Sequence, residues 1–139
     1  MSTQIQSLDP PALGPPHPSG IFSNITSIPI GNANFITISG QVATTPDGHI
    51  PSTLSEQIDL ILSKLTICLQ AVNGTVHHLT RLAYFMVEHD PETTTGVLTE
   101  KTRPWLEGHR PASSYLVVRE LSQKEFLCEF EAMAVVPRE

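Results

Sequence analysis

Two glutamates near the C-terminus, Glu129 and Glu131, are the residues whose type and spacing best suit acid–base chemistry. Side chains alternate along a β-strand, so carboxylates two residues apart share a face, with Cα atoms roughly 7 Å apart. Burial of that face raises the pKa of at least one carboxyl and makes it useful as a general acid or base. Glu129, the more central of the two, is the preferred candidate. A pair of solvated surface glutamates is the competing interpretation.

Other chemical signals are weak. The chain has six histidines and two cysteines, and none stands at a spacing typical of metal ligands. His17 lies in a Pro/Gly-rich stretch, where functional residues are common but solvent exposure is commoner. Cys68 and Cys128 stand in apolar segments and are expected to be buried thiols. We therefore expect no metal site.

The periodicity of apolar residues predicts the elements that must position these groups. Apolar residues recur every three or four positions from Leu54 to Val72, which predicts a helix. Thr53 with Glu56 forms a capping-box signature at its start. A second helix is expected to begin at Asp90-Pro91, and Pro104 to kink or end it, leaving Trp105-Leu106 irregular. Strands are predicted over residues 35–42, 79–87, 115–119 and 126–136.

The predicted order β-β-α-β-α-β-β is that of an α+β sandwich with both helices on one sheet face. In the last strand, one face carries Phe126, Cys128, Phe130 and the small residues after them. The other face carries Leu127, Met133 and Val135 with the two glutamates. No helix remains to cover this second face, so self-association is the expected way to bury it.

Composition limits the classes of function. The 139 residues carry a net charge of −6, with 8 Lys and Arg in total, and 40% are hydrophobic. So few cations argue against a nucleic-acid or anionic-membrane partner. No apolar run reaches the roughly 20 residues of a membrane span, and no signal segment stands at the N-terminus, so a cytoplasmic location is expected. Residues 1–20 are rich in proline and predict an extended arm, followed by a single domain over 21–139.

Several short segments of the chain form a recognisable set. They are residues 13–15 (LGP), 35–41 (FITISGQ), 72–75 (VNGT), 110–114 (RPASS) and 128–135 (CEFEAMAV), together with Gln57 and the apolar face of the first predicted helix. Taken together and in this order, they resemble the RidA/YjgF family of imine and enamine deaminases.

The resemblance implies a chorismate-mutase-like homotrimer with a central barrel and ligand clefts between subunits. It also implies a small-molecule ligand and no cofactor. Carried over residue by residue, it assigns the acid–base role to Glu129. It assigns substrate-binding or pocket-shaping roles to six further residues, which are Ser39, Gly40, Ser113, Ser114, Tyr115 and His17.

One departure from the family pattern affects the expected activity. Ser113 stands where family deaminases carry an arginine that clamps the substrate carboxylate, and a serine cannot replace a bidentate cation. Arg110 and Arg119 are near in sequence but not at the matching position. We therefore expect altered acid–base chemistry on a metabolic intermediate, such as imine or enamine hydrolysis, tautomerisation, dehydration or cyclisation, and not ordinary 2-iminoacid deamination. The alternative is a non-catalytic ligand-binding or regulatory protein.

Overall fold

A computed structural model describes residues 4–138 and places two helices on one face of a six-stranded mixed sheet. The strand order is β1-β2-β3-β6-β4-β5, and only the β4–β5 pair is parallel. The predicted α+β architecture is therefore confirmed, and the two strands nearest the N-terminus lie where no strand range was predicted. The elements are β1 (Gln6–Leu8), β2 (Ile25–Ile30), β3 (Ala33–Val42), α1 (Leu54–Ala71), β4 (Leu79–Met86), α2 (Thr94–Leu106), β5 (Ala112–Val117) and β6 (Cys128–Pro137).

Helix α1 begins as the sequence predicts. The Thr53 hydroxyl accepts a hydrogen bond from the Glu56 backbone N–H at 3.2 Å, which satisfies one of the free donors of the first turn. At the other end Asn73 adopts a left-handed φ of 59°, and the Gly74 N–H donates to the Leu69 carbonyl at 2.8 Å. These contacts close a Schellman-type turn, with the left-handed residue one position earlier than the glycine.

Helix α2 differs from its prediction at both ends. The Asp90 carboxylate accepts hydrogen bonds from the backbone N–H groups of Glu92 and Thr93, at 2.9 and 3.1 Å. Those bonds form a turn, and the helix begins only at Thr94. Pro104 lies inside the helix, which continues to Leu106. The expected irregular segment is helical because the Trp105 indole N–H donates to Thr66 on α1 at 2.8 Å and fixes the last turn.

The last two strands are offset from the predicted bounds. Strand β5 covers residues 112–117, three positions earlier than expected at its start, and β6 begins at Cys128. The predicted alternation in β6 is confirmed, because every member of its apolar face is at most 3% exposed. Helix α1 packs over β3 and β6, and α2 packs beside α1. Both cysteines are buried free thiols, as predicted.

The face of the sheet away from the helices, here called the open face, carries a mixed set of side chains. The strand registers align Phe35 with Val135, and Phe85 with both Glu129 and Leu116. Val135 is 38% and Leu116 42% exposed, so apolar surface is left in contact with solvent. Leu127, expected here, precedes β6 and lines a small cleft beside Leu54 and Val97 at the helix side.

Within residues 4–138, no helix is long and apolar enough to cross a membrane.

Candidate active site

Glu129 occupies the second position of β6, on the open face. Its strand neighbours are Val42 on β3 and Phe85 on β4. The side chain is half-buried, and this burial raises its pKa above the ordinary value, with a further contribution from the negative charge of Glu131. Glu131, by contrast, is exposed. The two carboxylates thus have different environments, and Glu129, whose pKa is raised by burial, is the better candidate for an acid–base role.

Gly40 lies directly against this carboxyl group. The pairing of β3 with β6 shifts between Ile38 and Gln41, so Ser39 and Gly40 form a bulge in the strand. A Cβ placed on Gly40 would lie 2.7 Å from Cδ of Glu129, closer than real contacts of that kind. A glycine is therefore required for the carboxylate to rest on the backbone of β3.

Ser39 is fixed by the segment that precedes β2. Its hydroxyl donates to the Ser23 carbonyl at 2.6 Å, and its backbone N–H donates to the Asn24 carbonyl at 2.8 Å. The buried Gln41 donates from Nε2 to Asn24 Oδ1 at 3.1 Å. Asn24 in turn donates twice to one Asp9 carboxylate oxygen, at 2.9 Å each. This chain of bonds ties the bulge to the N-terminal segment and holds its shape.

His17 lies beside this network in a shallow groove of about 590 Å³ that Ser39 also lines. Its ring packs against Phe22, with ring centroids 5.0 Å apart, and its Nδ1 is 2.9 Å from the Ser19 hydroxyl. Ile21 and Phe22 are 85% and 51% exposed. The structure therefore brings His17 and Ser39 to one groove whose apolar rim faces solvent.

Ser113 and Tyr115 lie on the opposite, helix-side face of the edge strand β5. Register places Ser113 beside the buried Leu82, and the Tyr115 hydroxyl is 2.9 Å from His89 Nδ1. Burial raises the pKa of Tyr115, so this phenol remains neutral. Within one chain these two side chains do not join Glu129.

Ser114 does face the open side. It lies on β5, one strand farther from Glu129 than Phe85, which lies on β4. Its hydroxyl accepts a 2.6 Å hydrogen bond from Arg81 on β4. Arg81 and Glu131 line one small groove of about 90 Å³. Sequence reasoning missed Arg81, because its place on the open face follows from a register shift in β4 that no local pattern reveals.

Gln57 is a second residue whose role was missed. It is fully buried in α1, and its amide N–H₂ donates to the carbonyls of Pro51 and Glu125 at 2.9 and 2.8 Å. Its carbonyl oxygen accepts from the Leu127 N–H at 2.8 Å. The amide thus fixes the chain just before Glu129. A glutamine among the apolar positions of a helix was the available signal.

No group of three or more His, Cys, Asp or Glu side chains in residues 4–138 could hold a metal ion. The groups that the structure places together at this site are the Glu129 carboxyl and the bulge of Ser39 and Gly40. Such a set can transfer a proton or orient a water molecule.

Solved structures share this fold. RidA from the Antarctic bacterium Psychrobacter sp. is 20% identical, with 87% of this chain and 93% of that chain covered and a TM-score of 0.72. The yeast protein Mmf1 is 20% identical over 96% and 99% of the two chains, with a TM-score of 0.79. YyfA of Yersinia pestis, of the Rid protein family, is 20% identical over 96% of this chain and 100% of that chain, with a TM-score of 0.79. No curated protein sequence matches the chain.

The family model described as endoribonuclease L-PSP matches residues 16–136. That span includes both helices and, apart from Pro137, five of the six strands, together with the bulge and Glu129. The chain therefore belongs to the endoribonuclease L-PSP family, the YjgF/RidA family that its sequence motifs resemble.

Proposed function

We propose that this protein is a RidA-like enzyme that performs acid–base chemistry on a small metabolic intermediate, with Glu129 as the catalytic group. The observation that carries the proposal is the half-buried carboxyl group resting on Gly40, with a pKa raised by burial. A carboxyl in that state can protonate an imine nitrogen or orient a water molecule. The reaction is hydrolysis of an imine or enamine, or a tautomerisation, dehydration or cyclisation that needs the same proton transfers.

We propose further that the active form is a homotrimer with its clefts between subunits. Two observations support this: the open face leaves Leu116 and Val135 exposed, and one chain separates Ser113 and Tyr115 from Glu129. A second copy placed at the β5 edge would complete a site that one chain leaves divided. Exposed apolar patches of this kind commonly mark an interface.

The residue at position 113 restricts which substrates the proposed site can bind. It is exposed and small, so it cannot provide the bidentate contact that a substrate carboxylate needs at that position. We therefore expect ordinary 2-iminoacid deamination to be weak. The description of the family also names an endoribonuclease. This chain has 14 acidic residues against 8 Lys and Arg, a balance that favours a small-molecule substrate over RNA.

The second candidate function is ligand binding without turnover. The observation that favours it is the same Ser113, since a changed cleft can keep a ligand without keeping the original reaction. An assay of imine and enamine hydrolysis separates the two functions. The first predicts turnover that Glu129 controls, whereas the second predicts binding and no product.

The test has two arms. Light scattering at micromolar concentration should give three times the chain mass of 15.2 kDa, and a mass near that of one chain would refute the intersubunit cleft. Turnover of amine-derived imines should disappear in Glu129→Gln and persist in Glu131→Gln, the matched carboxylate two residues away. Wild-type rates in Glu129→Gln, in a variant that keeps its assembly, would refute the catalytic role.

A coupled assay with an amino-acid oxidase tests the substrate restriction, because it generates 2-iminoacids continuously. We expect a rate about a hundredfold below that of an arginine-bearing relative, since a charge-assisted bidentate contact contributes about 3 kcal/mol. Ser113→Arg should raise it. A wild-type rate equal to that of the relative would show that another residue has replaced the clamp.

A further inference from the structure

The pairing of the first two strands places Asp9 beside Asn24. Register aligns Leu8 with Ile25 as the last pair of the β1–β2 ladder, so Asp9 and Asn24 come next on the two chains. Two prolines follow Asp9, and each fixes its own backbone dihedral φ. The first, Pro10, is buried at the start of a short 3₁₀ turn. The backbone is therefore held on both sides of Asp9, and its carboxylate has a defined position.

The carboxylate of Asp9 binds one residue twice. Its Oδ1 accepts hydrogen bonds from the backbone N–H and from the side-chain Nδ2 of Asn24, at 2.9 Å each. Within residues 4–138 no Lys or Arg forms an ion pair with Asp9. Hydrogen bonds to an ionised acceptor are stronger than those between neutral groups. Asp9 thus fixes both the backbone and the amide orientation of Asn24.

Asn24 in turn holds the residues on both sides of Gly40. Its backbone carbonyl accepts from the Ser39 N–H at 2.8 Å, and its Oδ1 accepts from Nε2 of the buried Gln41 at 3.1 Å. Gly40 lies between these two neighbours and against the carboxyl group of Glu129. The position of the bulge, and with it the surface on which Glu129 rests, therefore depends on Asn24.

The environment of Glu129 reports the position of the bulge. Burial is the main cause of its raised pKa, and the charge of Glu131 on the same strand adds to it. Its neighbours on the adjacent strands, Val42 and Phe85, carry no charge. If Gly40 moved away, water would reach the carboxyl group and its pKa would fall toward the ordinary value.

We propose that Asp9 is a positioning residue for the proposed catalytic group: through Asn24 it holds the bulge at Gly40 against the carboxyl of Glu129. It does so as a hydrogen-bond acceptor, so the negative charge itself is not required. The inference rests on the proposed function, in which Glu129 transfers the proton. A displacement of about 1 Å in a catalytic group can reduce a rate by up to about a hundredfold.

The test combines two measurements on the full, assembled chain: titration of the Glu129 carboxyl followed by carbon NMR, and turnover of amine-derived imines. In Asp9→Leu, which removes the acceptor, Glu129 should titrate at a lower pH than in wild type. Turnover should fall about tenfold or more. Asp9→Asn keeps an oxygen acceptor without the charge and should resemble wild type in both measurements. Gln6→Leu, at an exposed position of β1, is the control for changes in the N-terminal segment and should also match wild type.

An unchanged titration of Glu129 in an Asp9→Leu protein that keeps its assembly would overturn the proposal. Equal impairment of Asp9→Asn and Asp9→Leu would overturn it too, since the charge would then be the cause. If Asp9→Leu does not fold, Asn24→Ala decides, because it removes the side-chain link to Gln41 and keeps the backbone bonds. Glu129 should again titrate at a lower pH, and a wild-type titration would refute the role.

Failure of the proposed function gives a different result. A wild type without turnover on imines would count against the catalysis assigned to Glu129. The carboxyl titration needs no substrate, so it still decides whether Asp9 sets the environment of that group.

Discussion

Replacing Gln57 with leucine tests whether one buried amide holds the start of the strand that carries Glu129. The substitution keeps the size of the side chain and removes three hydrogen bonds, to Pro51, Glu125 and Leu127, of 2.8 to 2.9 Å. Each such bond contributes about 1 kcal/mol net. We therefore expect the free energy of unfolding to fall by about 3 kcal/mol.

For a chain of this size that loss corresponds to a decrease in Tm of about 10 °C. Thermal unfolding followed by circular dichroism measures it, at one fixed protein concentration because assembly makes Tm concentration-dependent. Gln70→Leu is the matched control: Gln70 is exposed on the same helix, and its replacement should change stability by less than about 0.5 kcal/mol.

A second variant separates lost hydrogen bonds from altered packing. Gln57→Glu replaces the amide NH₂ group, which donates to the carbonyls of Pro51 and Glu125, with an oxygen atom. Unless the new carboxyl group is protonated, that oxygen cannot donate and repels both carbonyls. This variant should be less stable than Gln57→Leu at pH 8 and should recover as the pH falls. A Gln57→Leu protein as stable as wild type would refute the reasoning, because the three bonds would then contribute nothing.

Three further predictions concern Thr102, Glu129 and Gly40. The Thr102 hydroxyl is buried without a hydrogen-bond partner in the described part of the chain, so Thr102→Val should raise the free energy of unfolding by about 1 kcal/mol, and a lower Tm would contradict this. Because burial raises the pKa of Glu129, the wild type should lose stability as pH rises from 4.5 through the folded-state pKa. Denaturant titrations at pH 4 and 7 should show this slope reduced in Glu129→Gln, and identical slopes would exclude it. Gly40→Ala should keep the fold but reduce turnover through displacement of the Glu129 carboxyl, which an unchanged rate would disprove.

Local patterns were sufficient where the physics is local. The spacing of apolar residues and the Thr53–Glu56 pair predicted α1, since helix periodicity and capping act within a few residues. Alternation predicted both faces of β6, and the resemblance predicted the family and the sandwich. Of the candidate site, the resemblance named Gly40 and Glu129 separately, and the contact between them is seen only in the structure.

The features that were wrong or missed depend on contacts between distant parts of the chain. Asp90-Pro91 has the composition of a helix start, but the Asp90 carboxylate completes a turn before the helix begins. Gln57 bonds to Glu125, 68 residues away. The place of Arg81 on the open face depends on a register shift, and strand register is set by pairing across the sheet.

The contact between Gly40 and Glu129 makes these two positions interdependent in any redesign of the protein. A methyl group at position 40 meets the end of the glutamate side chain, whereas a shorter residue at position 129 would leave room for it. Gly40→Ala should therefore displace the side chain at position 129 when that residue is glutamate. It should have almost no effect when that residue is alanine or serine. Engineering that changes the chemistry of this site therefore has a preferred order of steps: with a shorter residue at position 129 in place first, position 40 can accept a methyl group without displacing a carboxylate.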